Sequence, residues 1–273
     1  MHSRVSSTIA HPTNLKTHQS EITNITLKTI GTLYGISVGP GDSELLTLKG
    51  LNILKQADVV AFPAGTRGKP GIAQQIIAPW LNVDRPQLAL DFPYTQDDAV
   101  LIRAWECGAE QTWEYLQNGQ NVAFACEGDV SFYSTFTYLA QTLQRLHPEA
   151  KVEAIPGVCS PLAAVAALGI PLTVRSQRLA ILPALYRVSE LDAVLDWADV
   201  VVLMKMSSVY PQVWQTLARR ELLDRSYVVE RATLPQQVIY ADLRDRSDLK
   251  LSYFSLLIIQ GSQTPPMGNR ETC

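Results

Sequence analysis

The feature that most constrains this chain is its alternation of short β-branched or apolar runs with longer segments of helical periodicity. From residue 29 to 156 the apolar runs predict strands, and the segments between them predict helices. The predicted strands are 32–38, 59–62, 87–90, 121–126 and 152–155, and the predicted helices are 44–56, 72–80, 97–118 and 132–146. Strands that alternate with helices form right-handed βαβ units, so we expect a mainly parallel sheet.

The rhythm changes after Pro156. Helices predicted at 161–168, 190–196 and 210–219 alternate with strands predicted at 179–182, 200–204 and 226–229. The last two predicted strands, 237–240 and 253–259, have no helix between them, which favours antiparallel pairing. We therefore expect two α/β domains, 29–156 and 157–262, the second with a mixed sheet, and a ligand-binding cleft between them. Residues 1–28 are expected to form a disordered extension and residues 263–273 a tail.

Charge and residue usage exclude several classes of function. The formal net charge is −3 and the sequence pI is about 5.8, so no basic field is present to bind nucleic acid or an anionic membrane. No apolar run approaches the roughly 20 residues that a membrane-spanning helix needs. The four cysteines form no CxxC pair, which argues against a zinc or redox motif and favours a reduced, cytoplasmic protein. His147 is the single histidine of the predicted domains and lies at a predicted helix end, so no Ser-His-Asp triad and no metal site are expected.

A glycine-rich turn, Gly-Pro-Gly-Asp at 39–42, follows the first predicted strand. Such a turn lets the main chain approach a ligand closely, as in the nucleotide site of an NAD-linked reductase. However, Pro40 removes an amide that would bind a pyrophosphate, and the chain has no Tyr-x-x-x-Lys pair. The alternative is a plain strand-to-helix turn with Asp42 or Ser43 as the helix cap.

Four further segments follow strands at the edge where open α/β sheets bind ligands. The segment 127–134 begins Glu-Gly-Asp, and its acidic residues could contact a ligand or simply cap the helix expected near Phe132. The segment 155–161 contains Pro-Gly-Val-Cys-Ser, in which a nucleophilic role for Cys159 lacks a histidine base. Met204-Lys205 and Glu230-Arg231-Ala232-Thr233 end two later strands. Each segment alone is a weak signal.

In this order, the five segments resemble the tetrapyrrole methylase family, whose members transfer methyl groups from S-adenosylmethionine. The resemblance extends from about residue 32 to residue 261. Three segments, at 126–133, 203–205 and 253–259, are similar to the family branch that methylates C20 of precorrin-2 in cobalamin biosynthesis. The resemblance implies this activity, with precorrin-2 or its cobalt form as substrate and a homodimeric enzyme. Alternatives that stay open are methylation of another ring carbon or of another substrate such as diphthamide or ribosomal RNA, the NAD-linked reductase, and a non-catalytic tetrapyrrole carrier or sensor.

The resemblance also implies a set of site residues. The cofactor wall would be formed by Pro40, Glu127, Gly128, Asp129, Phe132, Cys159, Ser160, Met204, Arg231 and Ala232. Asp129 is the candidate base for the proton that leaves the methylated carbon, with a wall or orienting role as its alternative. Pro63 stands where related enzymes carry an aspartate proposed to handle protons, so that role is not transferred. Cationic candidates for the substrate carboxylates are Arg67, Lys69, Arg103, Arg175, Arg178, Lys205 and Arg231.

Overall fold

A computed structural model describes residues 29–65, 69–82, 84–184 and 188–261. The predicted extension 1–28, the tail 263–273 and the candidate Arg67 lie outside the described residues. Within the described part, no helix combines the length and the apolar character needed to cross a membrane.

The first sheet is entirely parallel. Its strands are β1 (Thr32–Ser37), β2 (Val59–Pro63), β3 (Gln87–Leu90), β4 (Val122–Cys126) and β5 (Lys151–Ile155). They lie in the order β3-β2-β4-β1-β5, and every neighbouring pair is parallel. β1 and β4 are central and almost completely buried because helices cover both faces. The parallel sheet predicted from the alternating pattern is confirmed.

The helices of this half are α1 (Leu48–Gln56), α2 (Ile72–Ile77), α3 (Asp98–Leu116) and α4 (Thr135–Leu146). Two of them begin later than predicted because a downstream hydroxyl provides the cap. The Thr47 side chain accepts a hydrogen bond from the Gly50 amide at the start of α1, after a short 3-10 turn at Ser43–Leu45 that Asp42 caps. The Ser134 side chain accepts one from the Phe136 amide, so α4 does not start near Phe132.

The second sheet is mixed. It contains β6 (Leu179–Leu182), β7 (Val200–Met204), β8 (Ser226–Glu230), β9 (Val238–Tyr240) and β10 (Ser255–Gln260), in the order β6-β7-β10-β8-β9. Only β6 and β7 pair in parallel, whereas β10 runs antiparallel to β7 and β8. The helices α5 (Ser160–Leu168), α6 (Val188–Leu195) and α7 (Tyr210–Arg219) complete this half. The mixed sheet expected from the missing last helix is confirmed.

Candidate functional site

The two glycine turns that follow β1 and β4 are joined by main-chain hydrogen bonds. The Gly39 amide donates to the Gly128 carbonyl at 3.2 Å, and the Gly128 amide donates to the Gly39 carbonyl at 2.8 Å. Both residues have positive φ angles, 79° and 71°, which glycine adopts without strain. Pro40 lies buried within the first turn. The turns therefore form one rigid frame at the carboxyl edge of the parallel sheet.

Asp129 ties this frame to the turn after β5. Its Oδ2 accepts a 2.7 Å hydrogen bond from the Gly157 amide, and its Oδ1 accepts from the amide and hydroxyl of Ser131. The Ser37 hydroxyl lies 3.4 Å from Oδ2 and 2.7 Å from the Ile155 carbonyl oxygen, the shorter of its two contacts. Asp129 is 8% exposed, so these bonds form largely away from water.

The electrostatics of Asp129 favour a permanent negative charge. Burial by itself would raise its pKa, but the bonds from Ser131, Gly157 and Ser37 outweigh burial and bring the pKa below the ordinary value. A carboxylate with a lowered pKa is a weak proton acceptor near neutral pH. The structure also rules out the helix-cap interpretation, since Ser134 caps α4. The geometry gives Asp129 the task of holding three turns together.

The Pro-Gly-Val turn packs directly against β1. A side chain at Gly157 would place its Cβ 2.5 Å from the Ser37 Cβ, so the close approach requires glycine. Cys159 precedes α5 without forming a side-chain cap, and Ser160 is the first residue of that helix. Both are half-buried and so remain open to a ligand.

The mixed-sheet half contributes the turns after β7 and β8. Met204 ends β7 half-buried, and Ala232 is buried after β8. The Arg231 amide donates to the Phe254 carbonyl at 2.7 Å, while the Arg231 side chain is exposed. Lys205 and Arg231 have positive φ angles of 52° and 48°, a strained conformation that clusters at functional sites.

The glycine turn of one half docks onto the turn after β8 in the other. The Asp42 amide donates to the Thr233 hydroxyl at 3.0 Å. A Cβ at Gly41 would lie 2.7 Å from the Leu234 Cγ and 2.9 Å from the Ala232 carbonyl oxygen. The predicted cleft between the two sheets is thus closed at one end by contact between two of the sequence motifs.

Three side chains from the two halves meet across the cleft, those of Tyr94, Lys205 and Tyr253, and Glu127 lies within electrostatic range of two of them. The rings of Tyr94 and Tyr253 are in edge contact, with centroids 5.7 Å apart. The Lys205 ammonium nitrogen lies 5.6 Å from the Tyr253 ring centroid, within cation–π range. Glu127 interacts electrostatically with Lys205 and with Tyr94. We call these four residues the cleft cluster.

Glu127 differs from Asp129 in its protonation behaviour. Water reaches the Glu127 side chain, but the surrounding protein desolvates its carboxylate. Desolvation raises its pKa to about 7, although nearby Lys205 lowers it in part. Because the cleft is open to water, the full effect of desolvation requires a ligand that fills the cleft.

The structure assembles most of the residues expected at the site. Phe132 lies half-buried beside the Glu-Gly-Asp turn, in edge contact with Tyr133 at 4.8 Å between centroids. Of the cationic candidates, Lys205 contacts the cleft cluster. Arg178 instead precedes β6 and pairs with Asp199 at the amino edge of the second sheet, away from the cleft. Sequence reasoning missed Tyr94, although its place just after β3 at the carboxyl edge was a usable signal.

Comparison with known proteins gives two relatives of nearly the same length and one that is about twice as long. The precorrin-2 C(20)-methyltransferase of Sinorhizobium sp is 32% identical over 245 residues, which cover 87% of this chain and 98% of that protein. The cobalt-precorrin-2 C(20)-methyltransferase of Salmonella typhimurium is 30% identical over 230 residues, 84% of this chain and 96% of that protein. The cobalamin biosynthesis protein CobIJ of Mycobacterium tuberculosis is 34% identical over 85% of this chain. The chain spans 46%, about half, of the length of CobIJ.

Solved structures share the fold at lower sequence identity. A cobalt precorrin-4 methyltransferase superposes with a TM-score of 0.64 and 23% identity, covering 84% of this chain and 94% of that one. A uroporphyrin-III C-methyl transferase from Thermus thermophilus, solved with S-adenyl homocysteine, superposes with a TM-score of 0.60 and 22% identity, covering 84% of this chain and 92% of that one. The model of the Tetrapyrrole (Corrin/Porphyrin) Methylases matches residues 32–245, including the frame, the docked turns and the cleft cluster up to Lys205. The resemblance seen in the five segments is therefore confirmed, and this chain belongs to the tetrapyrrole methylase family.

Proposed function

We propose that this protein transfers the methyl group of S-adenosylmethionine to C20 of precorrin-2 or cobalt-precorrin-2 in cobalamin biosynthesis. The observation that carries the proposal is its similarity, over almost their whole length, to relatives that bear these names. Methylation of another ring carbon is less well supported, because the relative named for precorrin-4 C(11) is 28% identical over only 52% of this chain.

The residues of the cleft fit a sulfonium cofactor. A Cβ at Gly128 would meet no atom within 4 Å, so there is open space in front of the joined glycine turns. Half-buried Cys159, Ser160 and Met204 offer both polar and apolar surface at the edge where ligands of α/β sheets bind. The proposed cofactor wall comprises Pro40, Glu127, Gly128, Asp129, Phe132, Cys159, Ser160, Met204, Arg231 and Ala232, with Pro40, Asp129 and Ala232 acting through the shape of their turns because they are buried.

The chemistry needs alignment more than an enzyme nucleophile. S-adenosylmethionine supplies an electrophilic methyl group, and the electron-rich ring carbon attacks it in line. The frame of Gly39, Gly128 and Asp129 fixes one wall of the cleft, and the docked Thr233 turn fixes the other. Holding two reactants in near-attack geometry supplies much of the acceleration, and displacement of water from the cleft prevents side reactions.

The test has a binding arm and a product arm. Calorimetry with S-adenosylhomocysteine and, separately, with NADH should show uptake of the first compound alone. Anaerobic incubation with precorrin-2 and methyl-labelled cofactor should then place the label on C20. Binding of NADH without binding of S-adenosylhomocysteine would favour the reductase. Label on a different carbon would mean that the protein is a family member that methylates another ring position.

Three further properties belong to the same proposal. We propose that residues 29–156 and 157–262 form the two domains, that the enzyme is a homodimer and that it acts in the cytoplasm. Cys159 is half-buried and Cys107 is exposed, and both are free thiols. Free thiols at such positions are compatible with a reducing compartment. Light scattering coupled to size exclusion tests the dimer, and an elution at the mass of one chain would contradict it.

A further inference from the structure

The methylation proposed above leaves one proton without an acceptor. After the methyl group is attached, the hydrogen on C20 must depart before the ring recovers its conjugation. Asp129 was the candidate from the sequence, but its oxygens are occupied by Ser131 and Gly157, and its pKa is lowered. A general base needs a free lone pair within reach of the substrate. The other carboxylate of the same turn, that of Glu127, remains.

Glu127 meets that requirement. It follows β4 directly and shares the cleft with Lys205, Tyr94 and Tyr253, so both halves of the protein surround it. Among the described residues, no hydrogen-bond donor lies within bonding distance of its carboxylate, in contrast to Asp129. Its side chain is open to the cleft, where Asp129 is buried.

We propose that Glu127 of the cleft cluster accepts the proton released from C20, with Lys205 as the positioning residue that stabilises the Glu127 carboxylate. This inference rests on the proposed function. In the balanced step, an electron pair of C20 forms the new C–CH3 bond while the S–CH3 bond breaks and leaves its electrons on sulfur. The C20–H bond then breaks, its electrons return to the conjugated ring, and the proton passes to a Glu127 oxygen.

Two other titratable groups near Glu127, those of Cys126 and Tyr94, keep their protons near neutral pH. Burial raises the pKa of the Cys126 thiol to about 11, with Ser134 opposing it in part. Desolvation, Tyr253 and Glu127 itself raise the pKa of Tyr94. Glu127, with its pKa raised to about 7, changes charge in the working range, whereas these two groups do not. A base must be deprotonated to act, so proton release should rise with pH through this pKa.

The two tyrosines complete the arrangement. The Tyr94–Tyr253 contact joins the segment after β3 to the segment before β10 and places two large rings beside Glu127 and Lys205. Tyr94 is 74% and Tyr253 44% exposed, so an extended planar substrate has aromatic surface to contact on entering the cleft. Such contact would exclude water from the carboxylate and strengthen its interaction with Lys205.

The experiment compares Glu127→Gln with wild type and with Glu153→Gln, the same change at an exposed position that pairs with Lys49. Single-turnover reactions use precorrin-2 labelled with deuterium at C20, over a series of pH values on both sides of 7. Formation of S-adenosylhomocysteine and release of the label to water are followed separately. Calorimetric titration with S-adenosylhomocysteine and thermal unfolding are measured for each variant.

In Glu127→Gln, label release should slow by a factor on the order of 10² or more. Its acid limb, centred near pH 7 in wild type, should disappear, and S-adenosylhomocysteine affinity should fall by a far smaller factor than label release, because Glu127 also belongs to the proposed cofactor wall. Lys205→Met should move that limb to higher pH, since Lys205 lowers the pKa of Glu127, and Lys205→Arg should restore it. Glu153→Gln should match wild type throughout.

Three outcomes would overturn the proposal. The first is a pH profile of label release in Glu127→Gln that keeps both the wild-type rate and the acid limb. The second is loss of S-adenosylhomocysteine binding in that variant, which would make Glu127 part of the cofactor wall only. The third is an unchanged limb in Lys205→Met. Failure of the wild-type enzyme to label precorrin-2 at all would instead refute the proposed function, so the two failures are distinguishable.

Discussion

Replacing Asp129 by alanine should destabilise the protein through the loss of a shared acceptor. The Gly157 amide at 2.7 Å and the Ser131 amide at 2.8 Å both lose their charged partner. Hydrogen bonds to a charged group contribute about 1.5–3 kcal/mol each. Ser131 is exposed, so water replaces part of its loss, whereas Gly157 is half-buried and packs against Ser37. We therefore expect a decrease in the free energy of unfolding of about 3 kcal/mol.

Thermal unfolding measures this effect directly. In a domain of roughly 150–250 residues, about 1 kcal/mol corresponds to a shift of roughly 2–4 °C, so the expected decrease in Tm is roughly 6–12 °C near pH 7. Asp129→Asn should fall between the alanine variant and wild type, because one of its two acceptor oxygens becomes a donor. Asp98→Asn, at an exposed position on α3, is the matched control and should change stability by at most about 0.5 kcal/mol.

The pH dependence adds a second signature. The pKa of Asp129 is lower in the folded protein than in the unfolded chain, so its stabilisation is fully present above the ordinary carboxyl pKa. It is lost as pH falls through the folded-state pKa. The difference in Tm between wild type and Asp129→Ala should accordingly shrink in that acidic window. A Tm within about 1 °C of wild type near pH 7 would refute the argument that Asp129 holds the three turns.

Two further substitutions test the packing of the site. Gly157→Ala places a Cβ 2.5 Å from the Ser37 Cβ, and this overpacking should cost about 1–3 kcal/mol and weaken S-adenosylhomocysteine binding in a calorimetric titration. Unchanged affinity would mean that the turn accommodates the added methyl group without altering the S-adenosylhomocysteine site. Thr233→Val removes the acceptor of the exposed Asp42 amide, so thermal unfolding should show a loss of about 0.5–1 kcal/mol that Thr233→Ser restores. Equal loss in both variants would refute a role for the hydroxyl.

The sheets could be predicted from the sequence because their signals are local. β4 is an apolar run between turn residues, and its burial on both faces follows from its central place in a parallel sheet. Helix starts were less accurate, since several residues near each boundary can act as caps. Ser134 and Thr47 act as caps where earlier residues were expected, and the chain before them forms turns.

The roles of the two acidic residues could not be predicted from the sequence. Asp129 and Glu127 stand two positions apart on one turn, and both are carboxylates after a buried strand. Asp129 is held by an amide 28 residues further along, at Gly157, and such a bond has no local signal. Glu127 acquires its raised pKa from desolvation by the surrounding protein, which Lys205, after a strand of the other half, opposes in part. Tertiary contacts thus distinguish the two carboxylates, which the motif alone does not.

The turns that contain Gly39 and Gly128 are joined to each other by main-chain hydrogen bonds. Since main-chain atoms make the bonds between these two turns, their geometry relative to each other does not depend on which side chains flank them, whereas the link to the third turn depends on Asp129. Tyr94 and Tyr253 lie outside this frame, and they come from the two halves on either side of the cleft. Directed evolution aimed at a different methylation position should therefore randomise Tyr94 and Tyr253 and leave Gly39 and Gly128 unchanged.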